Sequence, residues 1–488
     1  MSKSGKALIL IASSGSEKII LILVAACLSR LLSKADYATY RQTVLTYEIS
    51  APLLILGLPA ALFYFSSSDP SGGGLIVKKI LKILFFTGLL FLLFFVFGGN
   101  YLVAELFNNQ DLVYTLRYYA LFPVLVLPFA ILTPLLVTKE QPTLVPKLVI
   151  PLRLAQFLLV VLPLLLFSPN PRYSVVGQVV FAFLCCGTVL LVVRRVCDRD
   201  EFIETGIVSA KKILVYAIPL CLASVIEGLA MKTDRVLVAS LCSKEDFSVF
   251  VNGSMEIPFI SVITGSVTAI LLPEIIKLYR ERSYQQAMNL WKRAAEKVAI
   301  ILLPIGGMLF LIAPELMVVL YSEGFKESST PFRFYMLLMP ARVVAFGVIF
   351  QAAKRSDLIL KRAVGTLTLN MLVSYPLIKK FGSSGAAIGT ILVFWLYVIP
   401  YCLFYASRLS KTKLKHLLPF KKISLIIAVI VFAILVSTEV TTHFTLNVYA
   451  SGFIKVGSYG VLVCLGLLFF LREDFLKMLN GALNRVRG

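Results

Sequence analysis

The fold class this sequence predicts is an all-α polytopic membrane protein, and three observations predict it. The chain of 488 residues is 58% hydrophobic with mean hydropathy +0.88, where soluble globular chains run about 45–50% apolar. Its apolar residues gather in long blocks, as at 83–97, 120–137, 154–167, 299–313, 423–436 and 459–471. Its basic residues sit between those blocks instead of forming one patch.

A helix rises about 1.5 Å per residue, so roughly 20 residues cross a ~30 Å hydrocarbon core. On that measure fourteen spans are expected, near 6–31, 37–65, 76–97, 111–137, 144–167, 173–193, 211–241, 246–277, 296–320, 331–351, 357–378, 384–406, 422–440 and 453–471. The loops between them are too short to hold a soluble domain. Glu17 and Lys18 interrupt the first apolar run, so no cleavable signal peptide is expected despite the Val24-Ala25-Ala26-Cys27 sequence.

The formal net charge is +22. Nucleic acid is one partner for so basic a chain, but the spacing of the charges between apolar blocks points to membrane topology instead. With the N-terminus inside, most lysines and arginines fall in the termini and loops that become cytoplasmic, among them the loops 66–78, 194–212, 277–295 and 407–422. The excess predicts that these loops and both termini are cytoplasmic. The eight cysteines lie in or beside spans without metal-ligand spacing, and no disulfide is expected. His416 and His443 stand apart from each other and from clustered acids, so neither a metal nor acid–base catalysis is expected. The chain has no glycine-rich phosphate loop with a following lysine, so direct use of ATP is not expected either.

The chain repeats itself. Ser33-Lys34-Ala35-Asp36-Tyr37-Ala38-Thr39-Tyr40 matches Ser243-Lys244-Glu245-Asp246-Phe247-Ser248-Val249-Phe250 at an offset of 210 residues. Arg117-Tyr118-Tyr119-Ala120-Leu121 matches Arg333-Phe334-Tyr335-Met336-Leu337 at an offset of 216 residues. The same order and near-constant offset predict a parallel repeat of six spans. It divides the chain into 1–205 (spans one to six), 206–410 (spans seven to twelve) and 411–488 (two further spans and a tail). In the tail Phe475, Leu476, Leu479 and Leu483 suit a short interfacial helix. Trp291 is expected to anchor at the membrane interface.

Charges inside spans are the candidate functional residues, because a charged side chain at mid-bilayer costs about 2.5–3.5 kcal/mol on insertion scales and faces a cavity or a partner. Counting helical rise from the span ends places Lys18, Arg153 and Arg342 deep, with Arg117, Lys232, Asp234 and Arg235 toward the external side. Glu17, Glu48, Glu227 and Glu256 are deep as well. Glu17 and Glu227 are equivalent under the repeat, and Glu48 and Glu256 nearly so. A purely structural reading pairs Glu17 or Glu48 with Lys18, and Glu227 with Lys232. Asp234 and Arg235 read as a structural or gating pair. Pro219, Gly228, Pro258 and Gly265 interrupt spans seven and eight and permit bending there.

Three stretches carry a resemblance. Leu31-Leu32-Ser33-Lys34-Ala35-Asp36-Tyr37-Ala38-Thr39-Tyr40 is close to a "Leu-Gly-Pro-Glu-Glu-Tyr-Gly-Leu-Tyr" turn, though without its glycines. Lys232-Thr233-Asp234-Arg235-Val236-Leu237-Val238 is similar to an "Asp-Arg-hydrophobic" run. Phe381-Gly382-Ser383-Ser384-Gly385-Ala386-Ala387-Ile388-Gly389-Thr390 is similar to a "Tyr-Gly-x-x-Gly-Ala-Ala" start of a span. With these, the chain resembles the multidrug/oligosaccharidyl-lipid/polysaccharide exporter superfamily, in its polysaccharide transporter and O-antigen flippase branch. The resemblance covers the whole chain.

It implies two six-helix lobes around a cavity that opens alternately to each side, with spans one, two, seven and eight lining it. It also implies a non-enzymatic flippase in the bacterial inner membrane that exports a polyprenyl-pyrophosphate-linked oligosaccharide for polysaccharide biosynthesis, such as O-antigen for lipopolysaccharide. On that footing Lys18, Arg153, Arg342 and Arg117 are the expected pyrophosphate contacts. Glu48, Glu256, Glu17 and Glu227 are the candidate cavity carboxylates for coupling to H+ or Na+. No cofactor is expected. The expected partners are the lipid-linked glycan, membrane lipids and the glycan polymerase machinery. A lipid II flippase, a small-molecule antiporter of the same superfamily, and a membrane-embedded glycan polymerase or acyltransferase remain as alternatives.

Overall fold

Hydrocarbon offers no hydrogen-bond partner to a backbone amide, so an apolar run that crosses a bilayer must satisfy its own N–H and C=O groups as a helix or a closed barrel. Every regular element among the described residues takes the helical solution. The computed structural model describes residues 3–68, 73–197, 209–255, 257–443 and 447–471, with the side chains of the first helix described from Ser13. Glu256, the core of the 194–212 linker and the tail after Leu471 lie outside the described residues.

Among the described residues eleven helices are long and apolar enough to cross a membrane. A twelfth span arises if Glu323–Met336 and Met339–Ala352, bent by 49° at their junction, are taken as one. Fourteen were expected. The other two expected spans are helices as well, Lys3–Leu31 and Ser356–Phe381, of 29 and 26 residues. The second carries Asp357, Lys361, Arg362, Lys379 and Lys380, which keeps it outside the apolar count.

The chain divides into two compact units, Met1–Ser248 and Val249–Gly488. In the first, Lys3–Leu31 lies along Leu144–Leu166, and Leu144–Leu166 along Pro171–Cys197. Ala210–Leu241 packs on Lys34–Ile55 and on Leu58–Ser68. The seventh helix thus belongs to the first compact unit, where the repeat places it at the start of a second half.

The two stretches matched at offset 210 fold alike at their turns. Ser33 Oγ accepts the Asp36 N–H at 3.1 Å and donates to Asp36 Oδ2 at 2.6 Å. Ser243 Oγ accepts the Asp246 N–H at 3.0 Å and donates to Asp246 Oδ2 at 2.7 Å. Each serine satisfies an amide that the first helical turn leaves without an internal partner.

The second span, Lys34–Ser66, is broken near its middle. Lys34–Ile55 ends at Leu56 in the left-handed region (φ 52°), and Gly57 follows at φ 67°. At Gly57 a side chain is excluded twice over. A Cβ there would lie 2.8 Å from the Ala217 carbonyl oxygen and 3.2 Å from the Cys221 amide nitrogen, both backbone atoms of Ala210–Leu241.

In the second unit the last two described helices, Phe420–Thr442 and Val448–Phe470, pair with each other and with Tyr284–Leu311. Polar contacts tie them in. Lys422 Nζ lies 3.2 Å from Glu296 Oε2, the Tyr459 hydroxyl donates to the Pro304 carbonyl at 2.8 Å, and Lys455 pairs with Glu315. Trp291 is not an interface anchor. It is 1% exposed and donates its indole N–H to the Ala345 carbonyl at 3.3 Å, which makes it a core residue of this unit.

Candidate functional site

Charged and amide side chains of the first unit converge on Lys34–Ile55 from two sides. On one side runs a hydrogen-bonded chain of five residues. Arg153 Nη2 lies 3.1 Å from Glu17 Oε2, and Arg153 Nη1 donates to Gln156 Oε1 at 2.8 Å. Gln156 Nε2 donates to Gln178 Oε1 at 2.9 Å, and Gln178 Nε2 to the Tyr40 hydroxyl at 2.7 Å. Helix geometry makes this ladder. Arg153 and Gln156 are three residues apart and therefore share a face of Leu144–Leu166. Gln178 meets them from Pro171–Cys197 and Glu17 from Lys3–Leu31. Gln156, Gln178 and Tyr40 are buried, where an unpaired amide or hydroxyl would be costly. Arg153 also lies over the Phe181 ring, 5.5 Å from its centroid. Its Nε, though buried, makes no hydrogen bond among the described residues.

On the other side Glu48 meets Ala210–Leu241. Lys232 Nζ lies 3.1 Å from Glu48 Oε2 and 3.1 Å from the Glu48 backbone carbonyl oxygen. The second contact has a cause in the sequence. Pro52 has no N–H, so the carbonyl four residues earlier, that of Glu48, loses its helical partner. The Lys232 ammonium takes the place of that N–H and neutralises the carboxylate of the same residue. Arg235 and Arg41 are close enough to act on Glu48 electrostatically. Asp234 is buried and accepts the Arg235 backbone N–H at 2.7 Å. Tyr40, at the end of the ladder, and Glu48 are eight residues apart on one helix, or about 12 Å.

Toward the end of this helix nearer Ser33 a third polar set is uncharged. Asn109 Nδ2 donates to Thr39 Oγ1 at 3.0 Å and to Gln42 Oε1 at 2.6 Å, and the Thr43 and Thr115 hydroxyls lie 2.8 Å apart. Lys244 Nζ and Asp111 Oδ2 form a 2.7 Å pair in the same region.

Of the expected site residues, this arrangement brings together Glu17, Arg153, Glu48, Lys232 and Arg235. Lys18 is partly buried on Lys3–Leu31, one residue from Glu17. Arg117 and Glu227 are exposed, and Arg342 lies partly buried in the second unit at the end of Met339–Arg342. The observed pairs are Glu17 with Arg153 and Glu48 with Lys232.

Sequence reasoning missed Gln156, Gln178 and Tyr40, whose signal was a neutral polar residue within an apolar block. It also missed Glu315. That carboxylate accepts from Ser451 Oγ at 2.9 Å and pairs with Lys455, each of the charged side chains being at most 14% exposed. A lone acid and a lone base in separate apolar runs are the available sign of such a pair.

Residues 27–330 match the family described as polysaccharide biosynthesis protein. The chain belongs to that family. No curated protein matches it in sequence. Among solved structures this polysaccharide biosynthesis protein is similar to the lipid II flippase MurJ in an inward closed conformation, at TM-score 0.76 and 15% identity. That match covers 96% of this chain and 100% of the other. It is also similar to a multidrug resistance MATE family transporter of the MOP superfamily. The inward-facing form matches at TM-score 0.66 and 15% identity over 81% of this chain and 96% of that one. The outward-facing form matches at TM-score 0.60 and 16% identity over 83% and 97%. At these identities the likeness is one of fold, and the fold is that of the exporter superfamily expected from the sequence.

Proposed function

We propose that this polysaccharide biosynthesis protein is a flippase. It carries a polyprenyl-pyrophosphate-linked oligosaccharide from the cytoplasmic to the outer leaflet of a bacterial inner membrane, by opening alternately to the two sides. The observation that carries the reading is Arg153, set among apolar helices with one edge of its guanidinium on Glu17 and its buried Nε uncommitted. A guanidinium holds phosphate oxygens through parallel hydrogen bonds, so a pyrophosphate can compete with Glu17 for it. Lys18 adjoins the pair, and Arg342 is the proposed counterpart from the second unit.

In this reading the six-span repeat supplies two lobes, and a glycan polymerase receives the product. Glu48 and Glu256 are the proposed coupling carboxylates for H+ or Na+, with Glu17 and Glu227 as the second pair. A carboxylate couples an ion to a conformational change only if its two surroundings bind that ion unequally.

Transport decides it. Arg153→Gln, Lys18→Gln and Arg342→Gln should each lower export of the lipid-linked glycan about tenfold, the effect of losing one charge-assisted hydrogen bond, at unchanged membrane levels. Normal export by all three variants would place the pyrophosphate elsewhere. A lipid II flippase is the second reading, favoured by a structural match that extends over 96% of the chain. Rescue of a strain lacking its lipid II flippase, without rescue of one lacking its O-antigen flippase, would select it.

Topology is tested separately. Ser283→Cys, in the basic 277–295 loop, should resist a membrane-impermeant thiol reagent added to intact cells and react after lysis. Ready reaction in intact cells would invert the proposed orientation.

A further inference from the structure

The first unit holds an open groove of 710 Å³ between Lys34–Ile55, Gly73–Phe94 and the first turns of Ala210–Leu241. Its walls run from Lys82 at one end to Phe94 and Phe95 at the other. Twelve residues of helix separate Lys82 from Phe94, or about 18 Å, somewhat more than half of a ~30 Å hydrocarbon core. The volume lies within the range of ligand sites, about 300–1,000 Å³.

The chemistry of the walls is that of a hydrocarbon groove. Phenylalanine and leucine side chains dominate them, and the few hydroxyls among them donate to backbone carbonyls. Thr87 Oγ1 donates to the Leu54 carbonyl at 2.8 Å, Thr46 Oγ1 to the Gln42 carbonyl at 2.9 Å and Ser50 Oγ to the Thr46 carbonyl at 2.8 Å. These hydroxyls therefore ask nothing of an occupant, and a polar occupant would forfeit its hydration without recompense. The far end is shaped by a kink at Phe95–Gly99, where Phe97 and Gly98 leave helical geometry, Gly98 at φ 105°. The Phe94 ring lies where a Cβ on Gly99 would fall.

Charge is confined to the other end. Lys82 is the one charged residue lining the cavity. Lys78 and Lys79 lie four and three positions earlier on the same helix and so share its face. The Lys82 ammonium at one end of an apolar groove, with two further lysines within one turn of helix, complements a lipid that carries a phosphate above a hydrocarbon chain. Basic clusters at the cytoplasmic end of a span recognise anionic headgroups, and the charge pattern of the sequence puts this end on the cytoplasmic side.

We propose that this cavity binds one acyl chain of an anionic glycerophospholipid, with its phosphate at Lys82 beside Lys78 and Lys79. The bound chain lies against Leu53, Leu54 and Leu56, so it wedges the second span at its break. The site is separate from Arg153 and Glu48, and it stands whatever the transported lipid is.

Phe94→Trp places a fluorophore at the far wall. The protein is reconstituted in vesicles of phosphatidylcholine containing one-fifth phosphatidylglycerol, with bromine on the acyl chains of one lipid or the other. Brominated phosphatidylglycerol should quench the added fluorescence with about fivefold greater effectiveness per lipid than brominated phosphatidylcholine. Lys82→Gln should remove that preference, and Lys82→Arg and, in the second unit, Arg293→Gln should keep it. Leu90→Trp, which adds bulk within the groove, should abolish anionic lipid carried through purification while Lys82→Arg retains it.

Equal quenching by the two lipids would overturn the headgroup assignment. Absence of quenching above that of Trp291 and Trp395 alone would show that no chain enters. Relief of quenching by polyprenyl phosphate at lower concentration than by phosphatidylglycerol would overturn the phospholipid in favour of an isoprenoid occupant.

Discussion

Lys232→Met should destabilise the protein by about 2–3 kcal/mol, the largest loss expected from any single charge in the first unit. Removing one partner of a buried ion pair costs about 3–5 kcal/mol, because the other charge is left uncompensated. The Lys232 and Glu48 side chains are 26% and 33% exposed, so part of that cost is screened. What keeps the figure high is the second contact. Lys232 also serves the Glu48 carbonyl that Pro52 deprives of a helical N–H, and methionine abandons both oxygens at once. Glu48→Gln should cost less, since an amide oxygen still accepts from Lys232 and the carbonyl keeps its ammonium. Lys232→Met combined with Glu48→Leu should recover most of the carboxylate's share and leave the carbonyl's. Thermal unfolding of the purified protein in one detergent measures all three. Equal losses for Lys232→Met and Glu48→Gln would show that the carbonyl contact contributes nothing. Strict additivity in the double variant would show that the ion pair contributes nothing.

Glu17, Glu48, Arg153, Lys232 and Arg235 were legible as charges that a membrane span must pair or expose to a cavity. Their pairing was not legible. Arg153 and Glu17 are 136 positions apart, and Lys232 and Glu48 are 184 positions apart. Nearness in sequence suggested Glu227 for Lys232, but residues five apart on an α-helix point about 140° away from each other. Helix neighbours decide such partners, and these are fixed by packing between elements that a hydropathy pattern does not encode. The span pattern was legible because hydrocarbon imposes a length and a composition. Its interruptions were less so. Proline marks some sites of bending, yet the break at Leu56–Gly57 lies against Ala210–Leu241 and the kink at Phe95–Gly99 turns on Gly98 at φ 105°. The ladder from Arg153 to Tyr40 went unseen for a related reason. Glutamine and tyrosine are unremarkable in an apolar block until three helices bring them into line.

Gly57→Ala should destabilise the first unit by about 2–5 kcal/mol and should do so through contact more than through backbone strain. Two costs combine. A residue with a Cβ at φ 67° is in the left-handed region, at roughly 1–2 kcal/mol. The new methyl then meets the Ala217 carbonyl oxygen at 2.8 Å and the Cys221 amide nitrogen at 3.2 Å, and forced overpacking of that kind costs typically about 1–3 kcal/mol. Both obstacles are backbone, so no side-chain rotation relieves them. Either Ala210–Leu241 moves away or the break in the second span straightens. Gly98 supplies the control, because its φ of 105° is further from what alanine tolerates while nothing lies within 4 Å of its Cβ position. Gly98→Ala therefore reads strain alone, and Gly57→Ala reads strain and contact together. Denaturation midpoints of the two variants, measured side by side, should place Gly57→Ala well below Gly98→Ala. A Gly57→Ala protein no less stable than Gly98→Ala would mean that the close approach of the two helices does not hold. If it does hold, the break at Leu56–Gly57 is pinned to the same helix that carries Lys232. A change in the bend of the second span is then transmitted through Ala210–Leu241 to the carboxylate of Glu48, and this gives the proposed flippase a rigid link between its helix break and its charged site.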